Sequence, residues 1–222
     1  MIGFYDYTLI LTLSSLVSAV IGITFAIGGK FRAAILCLII SGICDGLDGR
    51  VARTKKNRTD DEKSFGVQLD SMCDMIAFCA LPMVTTYMAG GSGILNLVSV
   101  CFYGICSVIR LSYYNMKEIN RMAMDVPSEK VYYGLPVTSS AIIFPGMLIT
   151  EALWCGRLIP VSFTAASFIT GFLFIRNFEI RRPVKIVIYG AAALLIIVIT
   201  ALIAKSGGNP FVYIAQSISL IP

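Results

Sequence analysis

The feature that most restricts this chain is a series of long apolar blocks, each close to the length of a helix that crosses a lipid bilayer. Inside a bilayer core every backbone N–H and C=O must find its partner within the protein, so a spanning segment is either an α-helix or a strand of a closed barrel. Barrel strands alternate apolar and polar residues, whereas these blocks are apolar all round and hold few prolines, which selects helices. The expected fold class is all-α, a polytopic integral membrane helical bundle. Spans are predicted near residues 8–29, 33–53, 67–89, 93–116, 134–153, 156–176 and 184–204. The closing stretch PFVYIAQSISLIP is too short for a comfortable crossing and reads as interfacial or packed against the bundle, so seven spans are expected, with eight as the alternative. Connections are short and no repeat is evident, so residues 1–222 read as a single membrane domain. The N-terminus lacks the basic start and cleavage site of a removable signal peptide, so the first span is expected to stay as a helix.

Positive charges give the orientation, because cytoplasmic loops collect Lys and Arg. With the N-terminus in the cytoplasm, the inner loops hold Arg50, Arg53, Lys55, Lys56, Arg58 and Lys63, then Lys117, Arg121 and Lys130, then Arg176, Arg181, Arg182 and Lys185. The outer side receives Lys30, Arg32, Arg157 and Lys205, and Arg110 is left inside a span. The expectation is a multi-pass protein of the cell membrane. Its loops are too short to add a soluble domain, and no nucleic-acid partner is expected. The seven cysteines lie mostly within spans and form no CxxC pair, so they read as small buried apolar residues.

Four aspartates break the apolar pattern at what this orientation makes the cytoplasmic rim. Asp45 and Asp48 are three residues apart, and Asp70 and Asp74 are four apart, so on helices each pair projects from one face. Carboxylates near lipid are costly unless they are neutralised or reach water. Four negative charges match two divalent cations. The chain has no histidine, and oxygen donors alone select hard ions such as Mg²⁺, Mn²⁺ or Ca²⁺ over zinc. Two such ions roughly 3.5–4 Å apart suit phosphoryl transfer, where they clamp the attacking and leaving oxygens. Gly49 and Ala52 keep the helix face beyond Asp48 shallow, Arg53 offers a forked donor to phosphate, and Gly66 lies four residues before Asp70 on the same face. A solvated acidic rim and close packing of small residues are the plain structural alternatives.

The run Asp45-Gly-Leu-Asp48-Gly49-Arg-Val-Ala52-Arg53, followed by Gly66-Val-Gln-Leu-Asp70-Ser-Met-Cys-Asp74, resembles the signature of the CDP-alcohol phosphatidyltransferases, D-x-x-D-G-x-x-A-R, a loop, then G-x-x-x-D-x-x-x-D. The resemblance implies a membrane enzyme with a six-helix core, here about residues 8–176, with extra C-terminal helices at about 184–222, and usually a homodimer. It implies transfer of a phosphatidyl group from CDP-diacylglycerol to an alcohol with release of CMP, supported by two divalent ions, Mg²⁺ or Mn²⁺. By the same resemblance Asp45, Asp48 and Asp70 would bind metal, Asp74 would both touch metal and act as base, and Gly49, Ala52, Arg53 and Gly66 would hold the nucleotide. Ser64 would add a phosphate contact from the intervening loop, and Thr12 a nucleotide contact from the first span.

Three further stretches bear on the alcohol. Asp70-Ser-Met-Cys-Asp74 with Phe78 and Pro82, Arg110-Leu-Ser-Tyr-Tyr-Asn115, and Tyr133-Gly134-Leu135-Pro136 resemble the form of the family that makes phosphatidylserine, so L-serine is the expected acceptor. Glycerol 3-phosphate and an inositol phosphate are the alternatives. A lone guanidinium in an apolar span marks a ligand or a buried partner. Arg110 is therefore expected to hold the serine carboxylate or a phosphate, with snorkelling or pairing to a structural carboxylate as the other reading. The pattern departs from the family at Tyr113, at Ala77 and Cys79 around Phe78, and in the length of the loop 54–65. A divalent-cation transporter is the rival from a different class, although a transport site is expected near the bilayer midplane rather than at one rim.

Overall fold

The computed structural model describes residues 3–52, 54–55, 59–124, 131–153 and 159–181. The expected span at 184–204, the closing segment and Arg53 lie outside the described residues.

The fold is an all-helical bundle with a minor pair of strands. A 3₁₀ turn at Tyr7–Leu9 leads into α1 (Ile10–Ile27), followed by α2 (Phe31–Ala52). Next comes one long rod made of α3 (Asp60–Asp74), a π-helical segment (Met75–Ala80) and α4 (Leu81–Gly90). It is followed by α5 (Ile94–Ala123), α6 (Ser140–Leu153) and α7 (Ile159–Ile175). Strands β1 (Val131–Tyr133) and β2 (Glu179–Arg181) pair antiparallel, Tyr132 opposite Ile180, and tie the entry to α6 to the exit of α7.

Among the described residues, three helices are long and apolar enough to cross a membrane: Tyr7–Ile27, Asp60–Gly90 and Ile94–Arg121. Val137–Met147 and Pro160–Ile175 are shorter apolar helices, and α2 carries Arg32, Asp45, Asp48 and Arg50 among its 22 residues. Ala19, Ala26 and Ala34 let α1 and α2 approach, and Phe78, Tyr103 and Phe144 fill the centre together with Ile35, Leu38, Ile39 and Leu81. Large aliphatic side chains such as Val17, Ile94, Leu95 and Ile105 point outward. Large apolar side chains facing outward, with small residues at the close helix contacts, suit a lipid solvent.

Local chemistry explains the joints. Gly29, at φ +73°, ends α1 in a Schellman turn in which Lys30 N–H donates to Phe25 O at 2.8 Å and Gly29 N–H to Ala26 O at 3.0 Å. Pro82 has no N–H to offer the carbonyl of Phe78 four residues earlier. That carbonyl instead accepts from the hydroxyls of Tyr103 (2.5 Å) and Ser140 (3.3 Å), so α5 and α6 repair the break. Gly134, at φ +73°, lets the backbone turn against the end of α7, where its N–H meets Phe178 O at 2.6 Å. A Cβ there would sit 2.7 Å from Arg176 O.

The sequence placed the third span at 67–89, with 54–65 as a surface loop, yet α3 begins at Asp60. Thr59 accepts from Glu62 N–H, and the Glu62 carboxylate accepts from Thr59 N–H, a complete capping box. The acidic first turn Asp60-Asp61-Glu62 adds a favourable charge at the positive end of the helix dipole.

Candidate active site

Two helices bring the aspartates together, and a third adds Thr12. Asp45 and Asp48 lie on the last two turns of α2, and Asp70 and Asp74 on the last two turns of α3. One carboxylate oxygen each from Asp45, Asp70 and Asp74 falls within 4.8 Å of the others, an arrangement able to hold a metal ion. Asp45 faces Asp74, and Asp48 faces Asp70. Thr12 on α1 donates to Asp48 Oδ2 at 3.2 Å, and the backbone N–H of Gly49 reaches the same carboxylate. The hard oxygen set, without imidazole or thiolate, fits Mg²⁺ or Mn²⁺.

The helix immediately beyond Asp74 runs in π geometry, a local widening that often marks functional sites. It turns the apolar residues Ala77, Phe78 and Cys79 into the core while leaving Asp74 aimed at Asp45.

Other expected site residues take definite places. Gly49 is exposed on the last turn of α2, and a Cβ built on it would meet nothing within 4 Å, so space is open beside Asp48. Ala52 closes α2 half-buried. Ser64 and Gly66 are half-buried on α3, within one helix rather than on a loop. Arg110 is buried at 6% exposure, with Nε donating to Leu135 O at 3.0 Å, Nη2 to Tyr114 Oη at 2.9 Å, and the guanidinium 4.1 Å from the Tyr114 ring centroid. Its contacts thus include the Tyr133–Pro136 turn, so two of the stretches expected to bear on the acceptor meet each other. Asn115, at the other end of the Arg110 stretch, accepts a short hydrogen bond from Ser71, which belongs to the third such stretch as the residue after Asp70.

The sequence reading missed the group that ties the N-terminus to residues 54–55 and the start of α3. Tyr7 Oη lies 3.0 Å from Thr54 Oγ1, Phe4 packs edge-on against Phe65 with centroids 5.7 Å apart, and Lys55 pairs with both Asp6 (3.0 Å) and Glu62 (3.3 Å). The Thr59-x-x-Glu62 spacing was the available signal for half of it.

The family model for CDP-alcohol phosphatidyltransferase matches residues 8–175. The chain belongs to the CDP-alcohol phosphatidyltransferase family. This phosphatidyltransferase-family chain is 29% identical over 139 residues to the CDP-diacylglycerol–serine O-phosphatidyltransferase of Mycobacterium tuberculosis (strain ATCC 25618 / H37Rv), covering 62% of this chain and 47% of that protein. It is 28% identical over 141 residues to the protein of the same name from Helicobacter pylori (strain J99), covering 63% and 55%. It is 28% identical over 134 residues to the archaetidylserine synthase of Methanothermobacter thermautotrophicus, covering 60% and 53%. The chain thus spans about half the length of the curated relatives it matches.

Proposed function

We propose that this chain transfers the phosphatidyl group of CDP-diacylglycerol to L-serine, releasing CMP and forming phosphatidylserine. The observation that carries the proposal is the convergence of Asp45, Asp70 and Asp74 oxygens within 4.8 Å, at the residues of the family signature. Serine as the acceptor is supported by the names of the relatives, two of which are serine phosphatidyltransferases and one a synthase of archaetidylserine.

In this proposal Asp45, Asp48, Asp70 and Asp74 hold two divalent ions, Mg²⁺ or Mn²⁺, which when bound polarise the pyrophosphate and offset the charge of the departing CMP. Thr12 orients Asp48 on the nucleotide side. Gly49 and Ala52 leave a shallow wall for the cytidine, with Gly66 opposite, and Arg53 and Ser64 contact its phosphates. Asp74 accepts the proton of the serine hydroxyl as the oxygen attacks phosphorus, which asks for an approach of about 2.6–3.2 Å. Arg110 stands at the acceptor side, where its guanidinium and the Tyr133–Pro136 turn shape the pocket for the serine carboxylate. We place the N-terminus and the site on the cytoplasmic face, on the strength of the Lys and Arg bias, and treat residues 1–222 as one membrane domain that pairs into a homodimer.

The test is CMP release by purified protein supplied with CDP-diacylglycerol and Mn²⁺ or Mg²⁺, comparing L-serine, glycerol 3-phosphate and inositol phosphate as acceptors. Release stimulated by serine alone is the expected result. Stimulation by another alcohol would keep the chemistry and reassign the acceptor pocket around Arg110. Silence with every acceptor, from folded protein with metal, would overturn the enzymatic reading in favour of cation transport.

A further inference from the structure

Lys55 stands where three segments meet, and its two partners share an unusual division of labour. Asp6 uses Oδ1 to cap the turn that starts the first helix, accepting from Tyr7 N–H at 2.7 Å, while its Oδ2 pairs with Lys55 Nζ at 3.0 Å. Glu62 uses Oε2 to complete the capping box of α3, accepting from Thr59 N–H at 3.0 Å, while its Oε1 pairs with Lys55 Nζ at 3.3 Å. Each carboxylate therefore caps one helix with one oxygen and holds the same ammonium with the other.

Those capped segments deliver the site. Thr12 lies six residues beyond Asp6, Asp48 seven before Lys55, and Asp70 eight beyond Glu62. Within α3, Asp70 stands roughly 12 Å of helix from Glu62 at 1.5 Å per residue. The contact is not a free surface pair. Lys55, Asp6 and Glu62 are 29%, 19% and 23% exposed, Phe4 and Phe65 pack beside them, and a cavity of about 220 Å³ lies beneath. Both ion pairs hold the Lys55 ammonium above its ordinary pKa, the one with Asp6 more strongly, so it is charged throughout the neutral range.

We propose that Lys55 is a positioning residue for the metal-binding aspartates. By joining the helix starts of α1 and α3 to the end of α2, it fixes the register in which Thr12 meets Asp48 and the Asp45, Asp70 and Asp74 oxygens converge. This inference rests on the proposed divalent-ion site, and its test reads ion binding as well as turnover.

Asn and Gln can serve the two caps as Asp and Glu do. Asp6→Asn and Glu62→Gln therefore remove the ion pairs and leave the capping, and Lys55→Met removes both pairs at once. Binding of Mn²⁺ to the full chain in lipid nanodiscs is measured by the loss of the free Mn²⁺ paramagnetic resonance signal, with no substrate present. Lys55→Met is expected to weaken binding about fivefold, less than the 10- to 100-fold typical of groups bonded directly to a metal ligand, because the pairs are partly solvated and act through the helices. Lys55→Arg should restore it, each carboxamide variant should give part of the loss, and the Mn²⁺ concentration for half-maximal CMP release should rise by the same factor. Unchanged Mn²⁺ affinity in Lys55→Met, with or without a lower unfolding temperature, would overturn the proposal. So would a rise confined to the KM for CDP-diacylglycerol, which would make Lys55 a substrate contact. If Lys55→Met does not fold, Asp6→Asn and Glu62→Gln decide the matter alone. If the parent chain binds no Mn²⁺, the metal-site reading itself has failed, a result distinct from equal binding by parent and variant.

Discussion

At the end of the bundle away from the aspartates, the side-chain amide of Asn96 donates to the carbonyls of Thr86, Tyr87 and Gly91, while its oxygen accepts from Thr164. Ser167 donates to Thr86 Oγ1 and Ser99 to Thr164 O, which joins α4, α5 and α7. Every member is neutral, and each polar side chain finds a partner. At the other end Asp45 faces Asp74 and Asp48 faces Asp70, carboxylate against carboxylate, with one hydroxyl and one backbone N–H brought to Asp48. Both clusters are polar groups placed inside an apolar bundle. The first is complete as folded and reads as structure, since a satisfied network specifies packing. The second closes only when positive charge is supplied, and that incompleteness is what separates a site from a joint.

The contrast predicts which variants cost turnover and which cost stability. The largest effect belongs to Asp74→Asn, which keeps the shape of the side chain and loses the base. CMP release should fall by roughly 10²- to 10⁴-fold, the usual worth of a positioned general base, in protein that folds as before. Thermal unfolding of the metal-free protein should hold or rise, because one of four mutually repelling carboxylates has gone. Undiminished release would remove Asp74 from the chemistry.

Asn96→Ala should do the reverse. It strips hydrogen-bond partners from three carbonyls and from Thr164 in the interior, a loss on the order of 2–3 kcal/mol, read as a lower unfolding temperature in detergent. CMP release per folded molecule should stay within about twofold of the parent, since Thr86 lies some 18 Å along the helix from Asp74 by its twelve-residue separation. A large loss of turnover at unchanged stability would break the division between the two ends.

Much of this contrast was readable from the chain before any coordinates. Long apolar blocks dictate helices, and aspartates three and four apart on helix ends must share a face, so the cluster was visible in its spacing. Thr59-x-x-Glu62 carried the start of α3, yet a stretch as polar as 54–65 reads as loop when only hydrophobicity is followed. The β1–β2 pairing has three residues a side, too few for any period to register. The partners of Arg110 include a main-chain carbonyl, Leu135 O, and backbone acceptors are the same in every sequence. The π segment after Asp74 had Pro82 as its single hint, since a missing N–H says that a helix must adjust without saying how.

Thr12→Val sharpens the comparison at its finest point, because Thr12 places a side-chain hydroxyl on an aspartate of the cluster. The expectation from the sequence is a nucleotide contact for Thr12, and the 3.2 Å bond to Asp48 Oδ2 offers an orienting role beside it. Valine keeps the branched shape in a buried position on α1 and loses the donor alone. If Thr12 orients Asp48, Mn²⁺ binding without substrate should weaken by about threefold, less than the 10- to 100-fold typical of tight supporting contacts because this bond is long. Thr12→Ser should recover it. If Thr12 instead touches the nucleotide, Mn²⁺ binding will be unmoved and the KM for CDP-diacylglycerol will rise. The two measurements on one variant therefore decide whether the hydroxyl belongs to the metal side of the site or to the substrate side.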